Sequence, residues 1–247
     1  MIEISHVTKQ FGRKMVLSDA DIQIPEQIIY GLIGYNGAGK TTLLKMMNGI
    51  YRQDSGSIRI DGEPIYENEK LKRRMFMMTE ELFFLPQAAL CDMERFYSGY
   101  YENWNTVVYH RLLTLFELNE KMRISEFSKG MQRKAGLAIA FAAGPEYLFL
   151  DEAFDGLDLG VRKIMRRLAR LYVEKRKATL ILTSHNLQEL EECVDQFGMI
   201  KDGTLLCSME VEQIKNTGKT LESYFLLEGA EQKYEWETIF DEAYFPA

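Results

Sequence analysis

Apolar and polar positions alternate at the start of the chain, in IEISHV and again in VLSDADIQI, where Ile22 and Ile24 share one face. This period-2 pattern predicts two strands around the break FGRK within residues 1–24. IIYGLIG then predicts a short buried strand. It runs through GYNGAGKTT into LLKMMNGI, whose leucines and methionines suit a helix ending near Gly49. DSGSIRIDG reads as turn, strand and turn. Residues 80–143 are aromatic and helix-compatible, with Phe83, Phe84, Phe96, Tyr97, Tyr100, Tyr101 and Trp104, and predict a helical insertion. The strand pattern resumes at YLFLDE. A long helix follows over about 160–176, then the strand ATLILTS and a helix from about Asn186. FGMIKDGTLLCS predicts a closing hairpin, since Asp-Gly between apolar runs favours a tight turn.

Strands alternating with helices imply an α/β fold with a mainly parallel sheet. The 247 residues, 46% hydrophobic, suffice for one sizeable core, with room for a subdomain. The final residues, EGAEQKYEWETIFDEAYFPA, form an acidic, aromatic tail, so the organisation expected is one domain over 1–227 and a tail over 228–247. The net charge of −7 argues against a general nucleic-acid binder, whose phosphate contacts need a basic surface. Cys91, Cys193 and Cys207 form no C-x-x-C pair, which leaves a zinc site and a disulfide framework without support. The first residues lack the pattern of a secretion signal, and no apolar run reaches the ~20 residues of a membrane helix. A cytosolic protein is expected; work at a membrane would need spans from another chain.

The strongest chemical signal is Gly34-Tyr35-Asn36-Gly37-Ala38-Gly39-Lys40-Thr41, which matches G-x-x-x-x-G-K-[ST] between a strand and a helix. Its glycines let successive backbone N–H groups face one anion, and the helix that follows adds its positive end. Asn36, Gly37, Ala38, Gly39, Lys40, Thr41 and Thr42 are therefore expected to bind nucleotide. Lys40 would neutralise the β- and γ-phosphates, and the Thr41 hydroxyl would ligate Mg²⁺. A second signal is Tyr147–Glu152, an apolar strand ending in two carboxylates at the sheet edge where ligands bind in open α/β folds. Asp151 would hold Mg²⁺ through water, and Glu152 would polarise a water for attack on the γ-phosphate.

Nearly the whole chain, to about residue 227, resembles the nucleotide-binding subunit of an ATP-binding cassette (ABC) transporter, with the family's motifs in order. FSKGM stands at the signature before the second carboxylate strand, Phe154-Asp155-Gly156-Leu157-Asp158 at the D-loop, and His185 in LILTSHNLQELE at the switch histidine. The resemblance implies a P-loop NTPase fold of the ABC type, with an antiparallel β subdomain beside the core sheet. It implies Mg²⁺-dependent ATP hydrolysis with Lys40, Glu152 and His185 as catalytic groups. Phe11 would stack on adenine, with a core residue as its plainer alternative. Ser128, Gly130 and Asp158 would meet ATP where a second nucleotide-binding subunit joins the first. Hydrolysis in that dimer would drive a transmembrane permease, and the chain would sit on the cytoplasmic face of the cell membrane through that partner alone.

Some positions depart from the family pattern. Glu80 stands where the Q-loop has a glutamine that ligates Mg²⁺, with Gln87 a rival in a shifted register. Lys129 and Met131 replace glycine and glutamine in the signature, and Gln27 replaces a glycine before the phosphate-loop strand. The lysine-bearing signature and the stretch FYSGYYENWN resemble bacterial cassettes that export peptides or antimicrobials. Phe83, Phe84 and Leu85 are then expected to be exposed and covered by the permease. The basic residues of the helix over 160–177 are expected to form a solvated face around an apolar stripe that includes Ile164, Met165 and Leu171. A soluble cassette ATPase, such as those of iron–sulfur cluster assembly, is the alternative. A small-molecule kinase would share the phosphate loop but leave Glu152, the signature and His185 without a role.

Overall fold

The computed structural model describes residues 1–184 and 186–229. His185 and the tail from residue 230 lie outside the described residues. Two sheets organise the chain. β1 (Ile2–Phe11) and β2 (Lys14–Ile24) pair antiparallel, and β4 (Ser55–Ile60) and β5 (Glu63–Pro64) extend that sheet in the order β2-β1-β4-β5. Ile2, Ile4, Ile22, Ile24, Ile58 and Ile60 turn one face into a core shared with Leu43, Leu44, Met46 and Met47. The alternating positions are thus the buried ones, as the pleat requires.

The second sheet has the order β10-β9-β3-β8-β7-β6. It is built from β3 (Ile29–Ile33), β6 (Met75–Met78), β7 (Tyr147–Leu150), β8 (Thr179–Thr183), β9 (Gln196–Lys201) and β10 (Thr204–Glu210). All neighbouring pairs are parallel except the β9–β10 hairpin. β3, β7 and β8 are buried throughout, which is why they read as continuous apolar runs. The hairpin turns at Asp202-Gly203, both with positive φ, as the Asp-Gly signal predicts.

Helices flank the sheets. α1 (Lys40–Met47) leaves β3 directly through the glycine loop, and α2 (Glu69–Arg73) precedes β6. The insertion contains α3 (Leu90–Tyr100), α4 (Thr106–Leu115) and α5 (Lys129–Ala142). Most of its aromatics form an inner cluster, with Tyr97 against Phe76, Tyr101 and Trp104. α6 (Leu159–Arg176), α7 (Leu187–Cys193), α8 (Val211–Lys215) and α9 (Leu221–Gly229) complete the chain. α9 runs across the expected boundary at 227/228. No helix among the described residues is long and apolar enough to cross a membrane.

α6 corrects one expectation. Its buried face is Met165, Ala169 and Val173, at helical i, i+4 spacing, while Ile164 and Leu171 are exposed. Three of its arginines are not a free solvated face. Arg162 pairs with Glu189 at 3.0 Å, Arg166 with Glu192 at 3.0 Å, and Arg170 with Asp195 at 2.8 Å. They fasten α6 to α7 and to the turn before β9.

Candidate functional site

The phosphate loop lies between β3 and α1 at the end of the parallel sheet. Gly39, the residue before α1, has φ 111, closed to residues with a Cβ. A Cβ on Gly34 would lie 2.4 Å from the Ile200 carbonyl of β9. The loop is therefore pressed against the neighbouring strand at its start and left-handed at its end. Lys40 is 5% exposed, and its Nζ donates to the carbonyls of Gly34 at 2.7 Å and Tyr35 at 3.3 Å. Burial lowers its pKa from the ordinary 10.5, and the carboxylates of Glu152, Asp151 and Asp155 act against that shift.

A cleft of about 480 Å³ opens above the loop, lined by Phe11, Asn36, Gly37, Gly39, Lys40, Thr41, Thr42, Glu80 and Glu152. Ala38 is buried within the loop. The cleft thus gathers residues of the β1–β2 edge, the phosphate loop, the segment after β6 and the end of β7. Lys14, Val16 and Tyr35 also line it, and sequence reasoning missed them. Tyr35 was visible inside the glycine motif; Lys14 and Val16 reach the cleft only through the β1–β2 turn, which no local pattern reports. Phe11 is 44% exposed and meets Tyr51 edge-on at 5.4 Å, so it is not a core residue. Glu80 is on the cleft wall, held by Arg133, which donates to its carbonyl at 3.1 Å. Gln87 is exposed with φ 60 and does not line the cleft.

Asp151 and Glu152 sit at the end of β7 as their order predicts. Asp151 is 1% exposed. Its Oδ1 accepts from the Thr183 hydroxyl at 2.8 Å, and that hydroxyl accepts from the Glu152 N–H at 2.9 Å. Thr183 therefore positions both carboxylate residues from the adjacent strand, a role sequence reasoning missed. Among the described residues, Asp151 Oδ2 is buried with no hydrogen-bond partner. A buried carboxylate oxygen left open in this way suits a divalent cation or one of its waters. Glu152 has φ 50, a left-handed geometry uncommon for such a residue and frequent at functional sites.

Ser128, Gly130 and Asp158 do not line this cleft. Ser128 caps α5, its hydroxyl accepting from the Met131 N–H at 3.2 Å, and its side of the helix is exposed, as is Lys129. Phe127 is buried behind it. Asp158 caps α6 in the same way, accepting from the Val161 N–H at 2.9 Å. A Cβ on Gly130 would come within 3.6 Å of the Gly156 carbonyl, so the two motifs meet on one surface of the chain. Gln27 has φ 60, a geometry in which the glycine of the family pattern would be the easier residue.

A glycine loop around a buried lysine, with paired carboxylates at the end of β7, two strands across the sheet from β3, defines a P-loop nucleotide site on an α/β sheet. The family profile described as ABC transporter matches residues 17–155, and the chain belongs to that family. It is an ATP-binding ATPase of the family. Relatives include the ABC transporter ATP-binding protein YtrB of Bacillus subtilis, 29% identical, aligned over 87% of this chain and 74% of its own. The bacitracin transport ATP-binding protein BcrA of Bacillus licheniformis is 29% identical, over 89% of this chain and 72% of its own. The lantibiotic transport ATP-binding protein SrtF of Streptococcus pyogenes is 28% identical, over 92% and 99%. A solved ATP-binding subunit of an ABC transporter matches the fold with a TM-score of 0.84 at 24% identity, covering 92% of this chain and 98% of that one.

Proposed function

We propose that this chain is the ATP-hydrolysing subunit of a bacterial exporter for peptide antimicrobials, dimerising around ATP to drive a separate membrane permease. The observation that carries the reading is the division of the site. Phe11, residues 36–42, Glu80, Asp151 and Glu152 surround or underlie one cleft, whereas Ser128, Gly130 and Asp158 lie outside it. A second copy, or a related subunit, brings the missing half. Ser128 and the Gly130 N–H, at the positive end of α5, then face the γ-phosphate of the opposite cleft. Bacitracin and lantibiotic transport among the relatives supports the cargo class. The permease attachment places the chain on the cytoplasmic face of the membrane.

Phe11 stacks on the adenine ring and Lys40 neutralises the β- and γ-phosphates. Thr41, Asp151 and Glu80 would hold Mg²⁺, which supplies positive charge against the phosphate oxygens when bound. Glu152 orients and polarises the attacking water, and His185 contacts the γ-phosphate. The permease meets the surface beside Glu80. Phe83 is 63% exposed there, while Phe84 and Leu85 are half-buried against the helical core, so Phe83 is the main contact offered.

Glu152→Gln tests the assignment. The variant is expected to keep ATP affinity, lose hydrolysis by about a hundredfold or more, and accumulate as an ATP-bound dimer in size-exclusion chromatography. Normal turnover by the variant would remove Glu152 from its role.

A further inference from the structure

α9 packs on α7 and α8 and reaches the phosphate loop through one ring contact. Thr220 and Ser223 cap its start, with Ser223 N–H donating to the Thr220 hydroxyl at 3.1 Å and Thr220 N–H to the Ser223 hydroxyl at 3.0 Å. The Leu221 N–H donates to Glu191 of α7 at 2.8 Å, and the Leu221 side chain is fully buried. Tyr224 meets Phe197 of β9 edge-on at 6.4 Å. One turn after Leu221, Phe225 is 8% exposed, and its ring lies 4.7 Å from that of Tyr35. Tyr35 is the second residue of the phosphate loop.

The contact bears on the loop because the Tyr35 backbone is already part of its hydrogen bonding. Its carbonyl accepts from the Ala38 N–H at 3.1 Å and from Lys40 Nζ at 3.3 Å. On the other side, Gly34 is pressed against the Ile200 carbonyl of β9. The first half of the loop is thereby wedged between β9 and α9. By contrast, a Cβ on Gly37 would touch nothing within 4 Å. The support for residues 35–36 against α9 comes from the aromatic pair.

We propose that Phe225 is a positioning residue for ATP. By holding the Tyr35 ring it fixes where the Asn36 and Gly37 N–H groups point, and so α9 sets the affinity of the phosphate loop. The inference rests on residues 34–42 being the ATP site.

The test measures binding of a fluorescent ATP analogue and steady-state ATPase kinetics on the full chain. Phe225→Ala should raise Kd and KM by about two- to tenfold, the factor expected for one lost aromatic pair, with kcat changed less. Phe225→Tyr should restore the affinity, because it restores a ring. Tyr35→Ala should weaken binding to a similar degree, and the double variant should be no worse than either single one, the mark of a shared contact. Leu226→Ala, an exposed position on the same helix, should bind normally. If Phe225→Ala fails to fold, Phe225→Leu, which keeps an apolar side chain without a ring, carries the same test. Unchanged KM in Phe225→Ala, or additive losses in the double variant, would overturn the proposal. Failure of the unaltered chain to bind the analogue would instead overturn the ATP-site assignment.

Discussion

At the scale of the residue, Lys40 combines two opposed demands. It must be buried to sit under the phosphates, and burial disfavours its charge. The surrounding carboxylates oppose that shift without cancelling it, and bound phosphates favour the charged form further. Binding and protonation are therefore linked: ATP favours charged Lys40, so affinity falls as pH rises through the pKa of the free protein. Because that pKa is below the ordinary 10.5, the fall is expected at lower pH than for an exposed lysine. Titrating ATP affinity from neutral to alkaline pH checks this, and Lys40→Arg should move the fall to higher pH. An affinity that stays flat through the ordinary lysine range would contradict it.

At the scale of the element, Arg170 carries more than a surface charge. It donates to both carboxylate oxygens of Asp195, at 2.8 and 3.0 Å, and to the Cys193 carbonyl at 2.8 Å. Asp195 in turn accepts from the Ile29 N–H at 2.8 Å, at the start of the strand that leads into the phosphate loop. Arg170→Ala should destabilise the fold by about 1.5 kcal/mol, near the low end for charged hydrogen bonds because the pair is partly exposed. A denaturant titration measures it, and an unchanged midpoint would show the pair to be idle. This link was hidden in the sequence, where the arginines of α6 look like a solvated face. Their partners are some 25 residues away, and no local periodicity connects them. The same limit hid β6, a four-residue edge strand, and Thr183, whose role exists only because β7 and β8 are adjacent. By contrast, β3, β7, β8 and the β9–β10 hairpin were legible, because full burial and turn chemistry write directly into composition. The phosphate loop was legible for a similar reason: its glycines answer to backbone geometry within the motif itself. The wall formed by Lys14 and Val16 was not, since it depends on how the β1–β2 sheet folds over.

At the scale of the whole molecule, the two halves of the chemistry lie on different surfaces of one chain. The cleft binds nucleotide, and the capped starts of α5 and α6 present Ser128, Gly130 and Asp158 elsewhere. With the function proposed above, such a layout would make hydrolysis a property of a pair of subunits and would leave the exposed Phe83 beside Glu80 to meet the permease. The turnover rate per subunit, measured for the purified chain with ATP and Mg²⁺ across a wide dilution series, tests this most directly. The rate per subunit is expected to rise with protein concentration and to level off as dimers saturate. A rate per subunit that stays constant down to high dilution would contradict it.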